Sequence, residues 1–394
     1  MNFDPEIFLN KLAQTSPTPF LIPVEKAEGI YLYTPDGKRY TDLISGIAVS
    51  VIGHRHPQVI KAIKDQLDKH LHVMVFGEYI QSTPNLLADK LTQLLPPNLN
   101  CCYFVNSGTE ANEGALKLAK RYTRRTEIIS FKQSYHGSTH GSLSVSGNEL
   151  KKNAFRPLLP DVRFIEFGNP GDIDQITEQT ACVIMETVQG DAGVRIPTKN
   201  YLQAVRARCD IMGTILILDE IQCGMGRTGK LFAFEHFGIV PDILTVAKGF
   251  GGGLPIGAFI SDQKIMKTLT HDPVLGHITT FGGNPVCCAS ALATLTVLID
   301  EKIMAQVEAK GKLFEKYLRH PAIKELRRIG LMFAVDFESA KKVSDIVNHC
   351  KTNGVICYWF LSHPNSFRIA PPLTITEEQI KESCEVIVNA IQNS

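Results

Sequence analysis

The sequence predicts an α/β protein built around a mostly parallel β-sheet. Along the 394 residues, short apolar runs alternate with amphipathic helical patterns, and these runs are almost continuously apolar. Strands of that kind are covered on both faces, which is typical of parallel sheets. A chain of this length is expected to form two or three domains, or one large domain with an appendage.

The individual strands and one helix can be placed from these patterns. The apolar runs that predict strands are residues 101–105, 128–131, 163–167, 181–187, 214–220 and 242–248. The segment after Thr109 instead has helical spacing. One stripe of this helix carries Ala111, Ala115, Leu118, Ala119 and Tyr122.

Both ends of the chain are expected to join in a smaller α+β domain. Residues 29–40 resemble a hairpin with a Pro-Asp-Gly turn. The last helix should begin at Thr376, because Gln379 follows three residues later as in a capping box. We therefore predict a large domain of residues 66–290, a small domain of residues 291–394, and an N-terminal segment of residues 1–65 that packs with the small domain.

Composition argues against several classes of protein. The formal net charge is +1, so no strong field for nucleic acid or anionic membrane is expected. The N-terminus lacks the basic and apolar regions of a signal peptide, and the apolar run at 289–299 is too short and too rich in threonine to span a bilayer. We expect a cytoplasmic protein without nucleic-acid or membrane partners.

The cysteines and histidines predict neither disulfides nor a metal site. The ten cysteines are scattered without a Cys-x-x-Cys pair, which favours reduced, mostly buried thiols. Cys223 is interpreted as a small packed residue. The twelve histidines form no cluster with ligand spacing, so no metal is expected.

A turn between a strand and a helix is a candidate anion site. Ser107, Gly108 and Thr109 follow the strand at 101–105 and precede the helix. The N-terminus of a helix presents free N–H groups and roughly half a positive charge, and the two hydroxyls add donors. Simple capping of the helix by Ser107 or Thr109 is the alternative.

A carboxylate and a lysine follow two further strands. In open α/β sheets, ligands bind at the carboxyl ends of strands, where Asp219 and Lys248 lie. A buried Asp219 needs a donor or a cation, and Arg227 is one candidate. The glycines after Lys248 argue against a Walker loop, which has its glycines before the lysine. Lys248 is then either a core lysine paired with Asp219 or a nucleophilic amine.

Together, these three features match the requirements of pyridoxal 5′-phosphate. An anion site receives the phosphate, a carboxylate keeps the pyridine nitrogen protonated, and a lysine binds the aldehyde as a Schiff base.

Seven motifs, in family order, resemble those of the class III aminotransferases of fold type I, nearest the acetylornithine, ornithine and 4-aminobutyrate group. They are FVNSGTEANEGALKLAK, SYHGSTHGSLS, METVQGDAG, LILDEIQCGMGRTG, AKGFGGGLPIGA, TTFGGNP and FRIAPPL. The resemblance covers nearly the whole chain. It implies a large α/β domain with a small α+β domain, a pyridoxal 5′-phosphate cofactor, and a homodimer with shared active sites. The implied reaction moves an amino group from an amino acid or ω-amino donor to a 2-oxo acid.

The resemblance also implies cofactor contacts for single residues. Ser107, Gly108 and Thr109 correspond to the phosphate loop. Tyr135 stands where an aromatic ring stacks on the cofactor, and Glu186 where a carboxylate supports the site beside the ring.

Further contacts are implied at the strand ends and between subunits. Asp219 corresponds to the partner of the pyridine nitrogen, Gln222 to the donor to the phenolic oxygen, and Lys248 to the Schiff-base lysine. Thr280, together with Thr279, corresponds to residues that complete the site of the neighbouring subunit.

For the substrate, the resemblance implies an arginine and an acidic gate. Arg368 corresponds to the arginine that binds the α-carboxylate. Asp191 corresponds to the acid that pairs with this arginine. Because aspartate is one methylene shorter than the usual glutamate, the sequence does not determine whether Asp191 reaches Arg368.

Ser138 departs from the family pattern. It replaces an arginine that binds a second carboxylate in the acetylornithine and ornithine enzymes, a contact of about 2–5 kcal/mol. We expect weak use of these substrates, and of glutamate as donor, unless another cation such as Arg163 or a lysine of the other subunit replaces it.

Two other functions are compatible with the same motifs. One is an aminomutase of the glutamate-1-semialdehyde type or a decarboxylating relative, and the other is a non-catalytic pyridoxal-phosphate-binding protein. The motif at residues 107–120 is closer to its form in aminotransferases than to its form in the aminomutase or the decarboxylating relative. The presence of both Asp219 and Lys248 argues against the second.

Overall fold

The computed structural model describes residues 3–394, so Met1 and Asn2 of the predicted N-terminal segment lie outside the described residues. The first elements are α1 (Pro5–Lys11), β1 (Lys26–Glu28), β2 (Tyr31–Tyr33), β3 (Arg39–Asp42), α2 (Ser45–Ala48), α3 (Pro57–Leu67) and α4 (Ser82–Gln93). Strands β2 and β3 pair antiparallel, so the predicted hairpin is confirmed.

The central sheet and its helices come next in the chain. They are β4 (Cys101–Val105), α5 (Gly108–Thr123), β5 (Glu127–Phe131), α6 (His140–Val145), β6 (Val162–Ile165), β7 (Thr180–Glu186), α7 (Lys199–Met212), β8 (Ile215–Asp219), β9 (Ile243–Val246), β10 (Gly257–Ser261), α8 (Gln263–Met266) and α9 (Pro285–Asp300). The strand order is β4-β10-β9-β8-β7-β5-β6. Strands β9, β8, β7, β5 and β6 run parallel, whereas β10 is antiparallel to both of its neighbours. The predicted mostly parallel sheet is confirmed.

Burial follows the predicted pattern in the central strands, whereas the edge strands β4 and β6 are mostly only half-buried. Every residue of β7, β8 and β9 is buried, as expected for strands covered on both faces. Four residues of the predicted stripe of α5 are buried, whereas Tyr122, at the end of the stripe, is 47% exposed. Strand β10 was not predicted, because the glycines and proline before it read as a loop.

The C-terminal part contains α10 (Val307–Tyr317), β11 (Glu325–Ile329), β12 (Met332–Asp336), α11 (Ala340–Thr352), β13 (Val355–Ile356), β14 (Tyr358–Trp359), β15 (Ser366–Ile369) and α12 (Glu377–Gln392). Strands β11, β12, β15 and β14 form an antiparallel sheet. The side chain of Thr376 caps α12 and Gln379 completes the capping box, which confirms the predicted helix start.

The two ends of the chain share a sheet. Strand β13 pairs parallel with β3, with Val355 opposite Thr41, and extends the sheet β1-β2-β3. This pairing agrees with the predicted association of the N-terminal segment with the C-terminal part, while the boundaries at residues 65 and 290 stay predictions. All ten cysteines are free thiols, and most are buried. Within residues 3–394, no helix is both long and apolar enough to cross a membrane.

Candidate active site

A cavity of about 500 Å³ lies at the carboxyl ends of β7 and β8, beside the N-terminus of α5. Predicted site residues form much of its wall. Those that line it are Ser107, Gly108, Thr109, Tyr135, Ser138, Glu186, Asp219, Gln222 and Lys248. The predicted residues Asp191, Thr279, Thr280 and Arg368 are not part of this lining.

Asp219 is the last residue of β8 and is buried. Its Oδ2 accepts hydrogen bonds from Asn112 Nδ2 and His136 Nδ1, each at 2.8 Å, and its Oδ1 accepts one from the Ile221 N–H at 3.0 Å. Arg227 was a candidate partner from sequence, but it donates instead to the Leu331 and Pro371 carbonyls. The carboxylate is therefore held without a salt bridge to arginine.

Asn112 and His136 are site residues that sequence reasoning missed. Asn112 is buried on α5, donates to the His136 carbonyl at 2.8 Å, and accepts a hydrogen bond from the Thr245 hydroxyl at 2.8 Å. His136 Nε2 is buried without a hydrogen-bond partner in the described part of the chain. Asn112 could have been noticed because it is a polar residue among the small and apolar residues of the predicted helix. For His136, the signal was its position next to Tyr135 in a motif.

Lys248 begins a 3-10 turn, Lys248–Gly251, just after β9. Its φ of 46° lies in the left-handed region, which is uncommon for a residue other than glycine and costs about 1–3 kcal/mol. Among residues 3–394, none forms a hydrogen bond or ion pair with its ammonium, so the interpretation as a core lysine paired with Asp219 is not supported. Burial lowers the pKa of Lys248, while the charges of Asp219 and Glu186 oppose this shift.

Glu186 ends β7 and lies opposite Asp219 in the register of the sheet. Its Oε1 accepts a hydrogen bond from the Gly190 N–H at 2.9 Å, and its Oε2 accepts one from the Tyr135 N–H at 3.1 Å. Burial raises the pKa of Glu186 to about 7, and the Asp219 charge adds to the rise. Glu186 thus ties the loop that carries Tyr135 to the end of the strand.

The turn before α5 caps the helix, as one of its two interpretations expected, while anion binding stays a prediction. Ser107 Oγ accepts a hydrogen bond from the Glu110 N–H at 3.2 Å, so it caps the helix. At Gly108, a Cβ would lie 2.7 Å from Ile221 Cδ1, so a larger residue would displace this wall of the cavity. The other N–H groups of the first turn lack intrahelical acceptors and are available to an anion, whereas the Thr109 hydroxyl lies 2.9 Å from Thr139 Oγ1.

Arg368 and Asp191 form a buried ion pair, with Arg368 Nη2 and Asp191 Oδ1 at 2.9 Å. The shorter side chain of Asp191 therefore does reach the arginine. Asp191 also accepts hydrogen bonds from the Leu361 N–H at 3.1 Å and the Ser362 hydroxyl at 2.7 Å. The guanidinium of Arg368 lies over the ring of Phe360, 4.5 Å from its centroid. Burial lowers the pKa of Arg368, and Asp191 opposes the shift.

The remaining predicted residues lie outside the cavity lining, although Thr279 contacts the lining residue Asn106. Thr279 Oγ1 accepts hydrogen bonds from Asn106 Nδ2 at 3.1 Å and the Gly282 N–H at 3.3 Å, whereas Thr280 is exposed. Arg163 belongs to the edge strand β6 and pairs with Glu127, so it does not replace the family arginine at position 138.

Cys223 lies in the wall of the cavity as a packed thiol. It is buried, and its Sγ is 3.8 Å from the Asp219 carbonyl oxygen. Burial raises its pKa, which keeps the thiol protonated and supports its interpretation as a packing residue.

The chemistry of this donor set fits pyridoxal 5′-phosphate. The cofactor needs an anion site, an acceptor for a ring N–H, and a primary amine free to react with its aldehyde. The cavity offers the start of α5, the ionisable carboxyl of Asp219, and the Lys248 amine without a partner among the described residues.

Comparison with known proteins gives a consistent result. The model of the family "Aminotransferase class-III" matches residues 12–391. The chain is 39% identical to the acetylornithine aminotransferase of Bacillus subtilis over 94% of this chain and 95% of that protein. It is 38% identical to the acetylornithine aminotransferase of Methanocaldococcus jannaschii, over 93% of this chain and 91% of that protein.

Solved structures of aminotransferases have the same fold. An ornithine aminotransferase from Toxoplasma gondii, described with partial occupancy of pyridoxal phosphate at its active site, superposes with a TM-score of 0.90 at 29% identity, covering 98% of this chain and 92% of that chain. A transaminase from the marine bacterium Virgibacillus gives a TM-score of 0.92 at 26% identity, covering 99% of this chain and 98% of that chain. The chain therefore belongs to the class III aminotransferases and is a pyridoxal-phosphate-dependent enzyme of that family.

Proposed function

We propose that this aminotransferase moves an amino group from an ω-amino or amino acid donor to a 2-oxo acid, with Lys248 as its catalytic residue. The observation that carries the proposal is the Lys248 amine, which lines the cavity beside Asp219 and Glu186. Its lowered pKa increases the neutral fraction near neutral pH. Such an amine can take a proton from the donor carbon and later return it.

The other residues of the cavity would hold the cofactor. The N–H groups at the start of α5 and the hydroxyls of Ser107 and Thr109 would bind its phosphate, and Asp219 would accept the hydrogen bond of its ring N–H. Tyr135 would cover its face, and Gln222 would donate to its phenolic oxygen. When bound, the cofactor supplies an electron sink for negative charge at the donor carbon.

Arg368 would bind the carboxylate of the 2-oxo acid. Its present partner, Asp191, has the Leu361 N–H and the Ser362 hydroxyl as further donors. When Arg368 turns to a substrate carboxylate, these donors remain with Asp191, so neither buried charge is left without a partner. A donor that has no carboxylate near Arg368 leaves the ion pair between Arg368 and Asp191 intact.

The relatives named as acetylornithine aminotransferases favour a donor that resembles acetylornithine or ornithine. Ser138 supplies a neutral hydroxyl where a guanidinium would bind the distal carboxylate of such a donor. The proposed substrate class rests on these relatives: it is an amine on an alkyl chain that carries a carboxylate at its far end, and a cation at a position other than residue 138 has to bind that carboxylate. We place the enzyme in the cytoplasm.

The proposed assembly is a homodimer in which Thr279 and Thr280 complete the site of the partner. Around these threonines, Val274, Ile278 and Phe281 are exposed apolar residues, each more than half exposed, which is unusual unless another surface covers them. A two-fold dimer would place the same patch on both subunits.

The test is a panel of amines and 2-oxo acids, with the cofactor absorbance followed through single turnovers. Acetylornithine, ornithine, 4-aminobutyrate and glutamate form the donor arm, and pyruvate and 2-oxoglutarate form the acceptor arm. Loss of the aldehyde absorbance with a donor, and its return with a 2-oxo acid, is the expected result. Absence of any such change across the panel would contradict the proposal.

A further inference from the structure

A second cavity, of about 430 Å³, adjoins the first one at Ser138. The two cavities share Tyr135, Gly137 and Ser138 as wall residues. A donor that extends from Lys248 towards Ser138 therefore approaches this second space, and it would pass the contact between Tyr135 Oη and Ser138 Oγ, which are 3.4 Å apart. The side chains that line it would then contact the distal end of the donor.

The charge of this second cavity is positive. Among the described residues that line it there is no aspartate or glutamate, and the basic ones are His140 and Lys151. The Lys151 side chain is half-buried, and within residues 3–394 it has no hydrogen bond, ion pair or ring contact. An ammonium that lines a cavity and has no partner in the described part of the chain can receive an anionic group.

The neighbouring lysine, in contrast, has partners. The ammonium of Lys152 pairs with Glu149 at 3.1 Å and lies 4.0 Å from the ring centroid of Phe164. The second oxygen of Glu149 is taken by Arg156 at 2.6 Å. The nearest acid in sequence is therefore already neutralised, and Lys151 is left without one.

The remaining walls suit an alkyl chain. Leu143, Leu150, Ala154 and Phe155 contribute apolar surface to the cavity. Ser362 is also part of the wall, but the acid behind it, Asp191, is paired with Arg368. A ligand with a methylene chain and a terminal carboxylate would thus meet apolar walls along its length and a cation at its end.

The segment that carries Lys151 is tied to the rest of the site. Lys151 ends the 3-10 turn Glu149–Lys151, which Asn148 caps through the Leu150 N–H at 3.1 Å. Asn148 Nδ2 also donates to Ser362 Oγ at 3.0 Å, and Ser362 in turn donates to Asp191. This chain of hydrogen bonds positions Lys151 relative to the Arg368–Asp191 pair.

We propose that Lys151 is a specificity-determining residue that binds the distal carboxylate of the amino donor, where Ser138 offers only a hydroxyl. The proposal rests on the proposed function and names the group that selects the donor. It makes the second cavity the subsite for donors with a terminal carboxylate.

The experiment compares ω-amino carboxylates, from β-alanine to ε-aminocaproate, with their carboxamides. For each pair, the ratio of kcat/KM for carboxylate to carboxamide is measured in the parent and in Lys151→Met. We expect the parent to prefer at least one carboxylate over its carboxamide. For that pair, the ratio of kcat/KM should fall about tenfold or more in Lys151→Met. Lys151→Arg should retain the ratio, and Lys381→Met, an exposed lysine on α12, serves as the matched control.

A rescue arm tests the complementary role of position 138. In the Lys151→Met background, Ser138→Arg should restore part of the preference for carboxylates, because a guanidinium returns to the shared wall. The proposal would be overturned if Lys151→Met leaves the carboxylate-to-carboxamide ratio of kcat/KM unchanged. It would also be overturned if His140→Gln loses this preference and Lys151→Met does not.

The two proposals fail in different ways. If no amine of the panel reacts in the parent, the proposed function fails before Lys151 is tested. If the parent reacts and Lys151→Met keeps its preference, only the assignment of Lys151 is wrong.

Discussion

The ring of His136 donates its Nδ1 hydrogen to Asp219 Oδ2 at 2.8 Å, and Asn112 Nδ2 donates to the same oxygen at 2.8 Å. Two hydrogen bonds thus satisfy this buried carboxylate oxygen. They also fix the orientation of the carboxylate at the end of β8, because both donors are buried. The arrangement is suited to holding a proton on a ring nitrogen in the cavity.

Asp219→Asn should therefore reduce turnover far more than cofactor binding. The amide keeps a polar group of the same size, but it removes the charge that stabilises the ring proton. We expect the single-turnover rate to fall about 100-fold or more, as for the loss of a buried charged partner. Cofactor absorbance should show that occupancy largely survives. Asp262→Asn, at the half-buried N-cap of α8, is the control, and full activity of Asp219→Asn would reduce Asp219 to a structural cap.

Lys248 should carry the visible chromophore of the purified enzyme. We expect Lys248→Ala to lose this absorbance band, and borohydride followed by mass spectrometry to label Lys248 in the parent. Lys310 is a matched control, because burial also lowers its pKa but it donates to the Leu373 carbonyl at 2.7 Å, outside the cavity. A label found on another lysine would contradict the assignment.

Arg368→Met should weaken the use of 2-oxo acids. The variant removes the buried cation proposed for their carboxylate and leaves Asp191 without its ion pair. We expect kcat/KM for pyruvate and 2-oxoglutarate to fall about 100-fold, equivalent to roughly 2.7 kcal/mol. Steady-state kinetics with each acid give the measurement. Equal losses for an amine donor without a carboxylate would show that the variant disturbs the whole site instead.

Glu186 should make the stability of the cofactor-free chain depend on pH. Burial raises its folded-state pKa from 4.5 to about 7, so between these pH values the folded chain binds more protons than the unfolded chain. The contribution of Glu186 to the free energy of unfolding therefore falls as the pH rises through this window, by up to about 3 kcal/mol. We therefore expect the free energy of unfolding of the parent, relative to that of Glu186→Gln, to decrease as the pH rises.

Urea unfolding at pH 5 and pH 7 measures this difference. Glu178→Gln, at an exposed position, is the control and should show no such trend. The prediction would be contradicted if the free energy of unfolding of the parent, relative to Glu186→Gln, stays constant or increases as the pH rises.

The enzyme should sediment as a homodimer whose activity depends on Thr280. Thr280 is exposed and lies outside the cavity lining of its own chain, so a loss of cofactor affinity in Thr280→Val would point to the partner subunit. Equilibrium dialysis of the cofactor gives this affinity, and Thr270→Val is an exposed control. A fully active monomer would contradict the shared site.

The strands of the large sheet could be predicted because their apolar character is local to each segment. Residues 214–220 read as a buried strand, and β8 occupies Ile215–Asp219. Strand β10 escaped prediction because only its partners, β4 and β9, define it as a strand among glycines. The same limit applied to Tyr122, which shares the helical spacing of the buried stripe but is 47% exposed.

For the site, the sequence by itself determined which chemical groups are present and that Asp219 and Lys248 follow strand ends. Such positions depend on the order of residues along one segment. Only the tertiary structure decided the partners, because hydrogen bonds and ion pairs depend on distances between segments far apart in the chain. It brought His136 and Asn112 to Asp219, joined Asp191 to Arg368 across 177 positions, and left Lys151 without a partner among the described residues beside Ser138.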